Sequence, residues 1–172
     1  MEAERLIALG RHALAESGTA QDIVAEAWQA QALAQAMGSR LALCGPQELR
    51  GEARGLGETG EYPAVWGAGG PRAARLTEVA DPHRALTALG ELLGEVGIAL
   101  VGVACATDEE GLYWQCIEAI DATDESGDRV RGMLRRRARA GRARAPPPDP
   151  PPGAGAPPRG RGGGSPRAPR GL

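Results

Sequence analysis

From Leu86 to Val103, apolar residues recur at steps of three and four without a break: Leu86, Leu89, Leu93, Val96, Leu100 and Val103. A stripe with that period lies along one face of an α-helix and is stable only when covered by other helices. Asp81-Pro82 supplies the start, an N-cap carboxylate followed by a proline whose missing N–H is harmless in a first turn. The most apolar run in this region, Val96 to Ala106, has 11 residues. A membrane helix needs about 20, so the expectation is a core helix of a soluble protein. Gly90 and Gly94 form a small-xxx-small pair on an adjoining stripe. Each glycine costs a helix about 1 kcal/mol relative to alanine, and close approach of a neighbouring helix is the expected offset.

The same period reads out the rest of the first 136 residues. Residues 2–16 place Leu6, Leu9 or Gly10, Ala13 and Leu14 on one face. Thr19 with Asp22 is a near-capping box, opening a helix over 20–43 whose seam is Ile23, Ala27, Ala30, Ala34, Met37 and Leu41. Cys44-Gly45-Pro46 stops it, and Pro46 starts a short helix over 46–56 with Leu49, Ala53 and Leu56 on one side. Residues 57–72 are rich in glycine and proline and read as a loop, with an apolar island at Tyr62, Pro63, Val65 and Trp66. Residues 73–80 fit a helical turn or an extended piece equally well.

A second capping box is expected at Thr107 and Glu110, directly after the 82–106 helix. So short a connection forces the flanking helices to run antiparallel. The last helix, 108–136, is expected to turn Leu112, Tyr113, Cys116, Ile117 and Ile120 inward, and either breaks at Ser126-Gly127 or runs through. The expected fold is therefore all-α: an up-and-down bundle of about four main helices and one short one. A domain of this size buries roughly two-thirds of its unfolded surface and needs no staples.

Beyond residue 136 the alphabet collapses to Arg, Pro, Gly and Ala, with few exceptions. Such a segment buries too little apolar area to offset its ordering entropy, so 137–172 is expected to be a disordered, compositionally biased tail. These four residues have codons that need only G and C in their first two positions. A frameshifted or unselected 3′ end is therefore an open reading. All 20 basic residues are Arg, and Lys, Asn and Phe are absent, which points to a GC-rich genome rather than to selection for arginine chemistry. Charge is divided along the chain. Residues 1–134 hold 21 acidic residues against 10 Arg, while residues 135–172 hold 10 Arg against Asp149 alone.

The residues exclude more chemistry than they suggest. Cys44, Cys105 and Cys116 make no metal-ligand spacing and read as reduced, mostly buried thiols in a cytoplasmic protein. The acidic, amphipathic N-terminus is no secretory signal. His12 and His83 stand apart from each other and from any nucleophile. No phosphate loop, dinucleotide fingerprint or nucleophile elbow occurs. No catalytic residue, metal ligand or cofactor is expected, and enzymatic activity is the less favoured class.

Glu118, Asp121 and Glu125 share a helix face at steps of three and four. The Glu-x-x-His pairing of di-metal bundles is missing, so they read first as a solvated acidic face and second as a patch for a partner. Trp28 and Trp114 lie one step off their seams, and Trp66 lies in the loop. Such tryptophans close a bundle edge or anchor a partner. The candidate partner-binding set is accordingly Trp28, Trp66, Trp114, Glu118, Asp121 and Glu125, for another protein or for self-association. The alternatives are a ligand pocket or active site beneath residues 57–72, and weak, sequence-blind contact between the arginine-rich tail and nucleic acid.

Two stretches, IVAEAWQAQALAQAMGSRLAL and LLGEVGIALVGVACATDEEGLYWQCIEAIDATDESGDRVRGMLRR, carry a resemblance. Together they resemble an uncharacterised family of small helical proteins from GC-rich actinomycetes, a domain of unknown function. The resemblance covers most of residues 1–136 and implies one compact unit. It brings no activity, cofactor or site residue with it.

Overall fold

The computed structural model describes residues 1–59 and 70–144. Among these residues it is all-α, with five helices in an up-and-down bundle: α1 Ala3–Ala15, α2 Ala20–Cys44, α3 Arg50–Gly57, α4 Pro82–Ala106 and α5 Glu110–Arg144. Short 3-10 turns precede α3 at Gln47–Leu49 and α4 at Arg72–Arg75. Pro46 stands just before the first of these turns rather than inside it.

Two helix starts follow the sequence pattern. The Thr19 hydroxyl accepts from the Asp22 N–H at 3.1 Å while the Asp22 carboxylate accepts from the Thr19 N–H at 2.9 Å, a complete capping box. At α4, Asp81 accepts from the N–H groups of His83 and Arg84. The box expected at Thr107 and Glu110 does not form. The Thr107 hydroxyl accepts from the Glu109 N–H instead, in a tight turn between α4 and α5.

α4 buries the whole stepped stripe, Leu86, Leu89, Leu93, Val96, Leu100 and Val103, together with Ala85 and Leu92. It is long and apolar enough to cross a bilayer by length and composition alone, and a third of its most apolar stretch is buried inside the bundle. Its partner α5 runs antiparallel. A Cβ on Gly90 would meet Val130 at 3.5 Å and one on Gly97 would meet Thr123 at 4.0 Å, so the contacts descend α5 as they climb α4. Gly94 has no such role. It is exposed, and a Cβ there would meet open space, so the close approach expected at Gly94 belongs to Gly90 alone.

α2 is the central helix. Gln31, Ala32, Leu33 and Ala34 are buried in succession, so at this level it is covered on all sides. The reason is its small side chains, which admit neighbours at close range. The tightest approach is at Gly38, where a Cβ would stand 2.5 Å from the Gly57 backbone nitrogen and 2.8 Å from the Ala53 carbonyl oxygen of α3. α1 turns Ala3, Leu6, Ile7 and Gly10 inward and leaves Leu9 at the surface. Arg11 ties it to α4 through Glu91 at 3.2 Å and Glu95 at 3.0 Å.

Residues 73–80 combine both expected forms. The 3-10 turn is followed by a short parallel bridge in which Thr77 N–H donates to the Met1 carbonyl and Ala3 N–H to the Glu78 carbonyl. Arg72 fixes the start of this segment on α2, its backbone N–H donating to Gln29 at 2.8 Å and its guanidinium pairing with Glu26.

Of the two readings of α5, the unbroken one holds: the helix runs straight through Ser126-Gly127, and both residues are buried inside it. Its inward stripe is Leu112, Cys116, Ala119, Thr123, Ser126, Val130 and Met133, and Tyr113 is exposed. The helix, expected over 108–136, continues to Arg144. Six arginines occupy its last ten residues, where the negative end of the helix dipole favours them. The apolar island around Trp66 and the chain from residue 145 lie outside the described residues.

Candidate functional site

α5 presents one continuous outer face opposite its buried stripe. Trp114, Glu118, Asp121, Glu125 and Asp128 follow one another at steps of four and three and are all exposed. Four of the six candidate partner-binding residues thus fall on one line. Trp114 is 56% exposed and stands edge-on to Tyr113, ring centroids 5.4 Å apart. An indole this open, beside a second exposed aromatic ring, contributes little to bundle packing. It leaves apolar area in contact with water.

The other two candidates do not join this face. Trp28 on α2 is half-buried and packed against the core, the edge-closing alternative. Trp66 lies outside the described residues.

The acidic line continues into a basic one. After Gly132 the same face carries Arg135, Arg139 and Arg142, all exposed. Within the helix Glu125 pairs with Arg129 at 3.1 Å and Asp128 with Arg131 at 2.5 Å. Arg136, off this line, bonds Glu52 of α3 at 2.9 Å. A groove of about 610 Å³ beside it is lined by Glu48, Glu52, Gly132, Arg135, Arg136 and Arg139. Its carboxylates and guanidinium groups are of mixed sign, and it holds no nucleophile.

A second, more apolar groove of about 550 Å³ runs between the α1–α2 turn and the α4–α5 turn, over Ile23, Ala99, Val103 and Leu112. It bears no titratable side chain. Any pocket beneath residues 57–72 would need residues 60–69, which are outside the described set. Among the described residues no three of His, Cys, Asp and Glu converge as metal ligands.

The thiols correct another expectation. Cys116 is buried, and desolvation pushes its pKa up, which makes it a poor nucleophile. Cys44 and Cys105 are exposed, so most of the thiols are at the surface. Cys105 sits on the outer side of α4 with Ile98, which is 78% exposed, and Val101.

One polar cluster was not foreseen. Gln31 of α2, Thr59 after α3 and Ser126 of α5 meet in the core, each essentially inaccessible to water. Ser126 donates to the Gln31 carbonyl oxygen at 2.8 Å, the Gln31 amide donates to Thr59 at 3.2 Å, and Thr59 donates to the Leu56 carbonyl at 2.8 Å. With no ionisable member and no access from solvent, this cluster holds three helices in register rather than performing chemistry. The stripe 112, 116, 119, 123, 126, 130 carried the signal that Ser126 points inward.

No curated protein and no solved structure matches the chain. A family model, described as a family of unknown function, matches residues 1–136, which take in every helix except the last turns of α5. The chain belongs to that family, DUF6099.

Proposed function

We propose that the protein is a non-enzymatic interaction module whose working surface is the outer face of α5. The observation that carries this is the exposed Trp114 in line with Glu118, Asp121 and Glu125 on one rigid helix. The carboxylates steer a basic partner, and the aromatic side chain at the head of the line supplies apolar area for it to cover.

Position-specific photo-cross-linking tests this. A photoreactive residue at Trp114 should give a covalent adduct in cells. One at Leu43, which is 75% exposed at the far end of α2, should not. Equal labelling at both positions would remove the basis for the proposal.

A further inference from the structure

We propose that α5 pairs antiparallel with α5 of a second copy of this chain, the acidic half of each outer face lying on the basic half of the other. This rests on the reading of α5 as the interaction surface and names its occupant.

The argument is the placement of charge about Val130. Glu118, Asp121, Glu125 and Asp128 stand 12, 9, 5 and 2 residues before it. Arg142, Arg139, Arg135 and Gly132 stand the same distances after it, on the same exposed face. Laying one such helix on another head to tail about a two-fold axis at the level of Val130 sets Glu118 against Arg142, Asp121 against Arg139 and Glu125 against Arg135. The axis doubles each pair. Asp128 meets Gly132, where the absent side chain leaves room for the helices to approach. A parallel pair would set acid on acid and arginine on arginine, so only the antiparallel arrangement is complementary. It is the self-complementary contact that a closed dimer requires.

The side chains are available for it. Glu118, Asp121, Arg135, Arg139 and Arg142 make no ion pair among the described residues. Glu125 is already held by Arg129, so the outer pairs, 118 with 142 and 121 with 139, carry most of the effect. Two acids line the groove beside the basic half: Glu52 is occupied by Arg136, and Glu48 makes no ion pair among the described residues. The contact spans about 36 Å of helix at 1.5 Å per residue. The whole chain has a formal charge of −2, so two copies meet without strong overall repulsion. Contacts of this kind are exposed and screened by salt, which makes the dimer weak and salt-sensitive.

Sedimentation velocity of the full 17.8 kDa chain at 20 mM and 500 mM NaCl tests this without any substitution. The dimer fraction should be high at low salt and fall at least tenfold in association constant at high salt. Glu118→Arg with Asp121→Arg should abolish self-association, as should Arg139→Glu with Arg142→Glu, and an equimolar mixture of the two variants should restore it. These sites are exposed, and an unchanged helical signal confirms that each variant folds. Orientation is read by cysteine pairing in a Cys44→Ser, Cys105→Ser background. Asp121→Cys mixed with Arg139→Cys should form a disulfide-linked dimer, and Asp121→Cys alone should not. A monomer at both salt concentrations, a dimer indifferent to the charge reversals, or efficient linkage of Asp121→Cys to itself would each overturn the proposal. Adducts from position 114 to a different protein, with the chain monomeric throughout, would leave the interaction reading standing and remove only the pairing.

Discussion

Ser126 donates a 2.8 Å hydrogen bond to the side-chain carbonyl of Gln31, 95 positions away on α2, in a core whose other buried polar side chains among the described residues are Thr59 and Thr123. Removing one partner leaves the other desolvated and short of a bond. Ser126→Ala should therefore cost about 1–3 kcal/mol. Pairing it with Gln31→Leu should cost less than the two single changes added together, because no orphaned polar group remains between them. Urea unfolding of the two single variants and the double gives the coupling directly. Strict additivity would mean that the bond is not made in solution.

Two helical glycines should respond oppositely to the same substitution. Gly38→Ala drives a methyl group into the backbone of α3, which has no flexible end to yield, and should destabilise by about 1–3 kcal/mol. Gly94→Ala places it in open solvent on the exposed side of α4 and should stabilise by about 0.4–1 kcal/mol through helix propensity. Thermal melts decide it: the midpoint should fall in the first variant and rise in the second.

Leu93 and Leu100 lie at the centre of the α4 stripe and are buried. Either residue changed to alanine should cost about 2–5 kcal/mol. A loss below about 1 kcal/mol in urea would mean that this face is not the packing centre.

Two helix starts make folding sensitive to acid. The Thr19 hydroxyl and backbone N–H hold the Asp22 carboxyl below its ordinary pKa, and the backbone N–H groups of Arg84 and His83 do the same for Asp81. Because the folded values are depressed, their stabilisation is complete above the unfolded value near 4. It disappears as pH falls through the folded values. The melting temperature of the native chain should exceed that of Asp22→Ala by a constant margin above about pH 5, and the margin should shrink below pH 4. A margin that stays constant into strong acid would contradict this.

The helices were legible because their signals are local. The alternating steps of α2 and α4, the Thr19–Asp22 box and the Asp81-Pro82 start each depend on residues within two turns of one another. What escaped depended on partners elsewhere. Gly94 and Gly90 are four residues apart in similar surroundings, yet only Gly90 faces α5. Tyr113 satisfies an apolar periodicity on the wrong side of its helix, and the choice left open between Leu9 and Gly10 falls to Gly10, because the position of a neighbour decides which of two adjoining stripes is covered. Composition left open whether Ser126-Gly127 breaks the helix, and a bond to α2 makes serine suitable inside it. The arginine-rich start of the tail continues α5 because arginine is a good helix former and the run has no proline before Pro146. Of the candidate site, the line from Trp114 to Glu125 was visible as spacing. Its reflection in Arg135, Arg139 and Arg142 becomes meaningful only once one unbroken helix carries both halves.

The short turn between α4 and α5 has a kinetic consequence. Closing a chain of a few residues costs little entropy, whereas bringing α1 onto α4 must close a far longer segment. We expect the α4–α5 hairpin to be largely formed in the folding transition state, with α1 docking afterwards. Val130→Ala, at the seam where Gly90 meets α5, should then slow refolding, while Ile7→Val, in the buried face of α1, should chiefly speed unfolding. Stopped-flow measurements on the two variants would separate these cases, and a refolding rate that fell more for Ile7→Val than for Val130→Ala, each scaled to its loss of stability, would reverse the order.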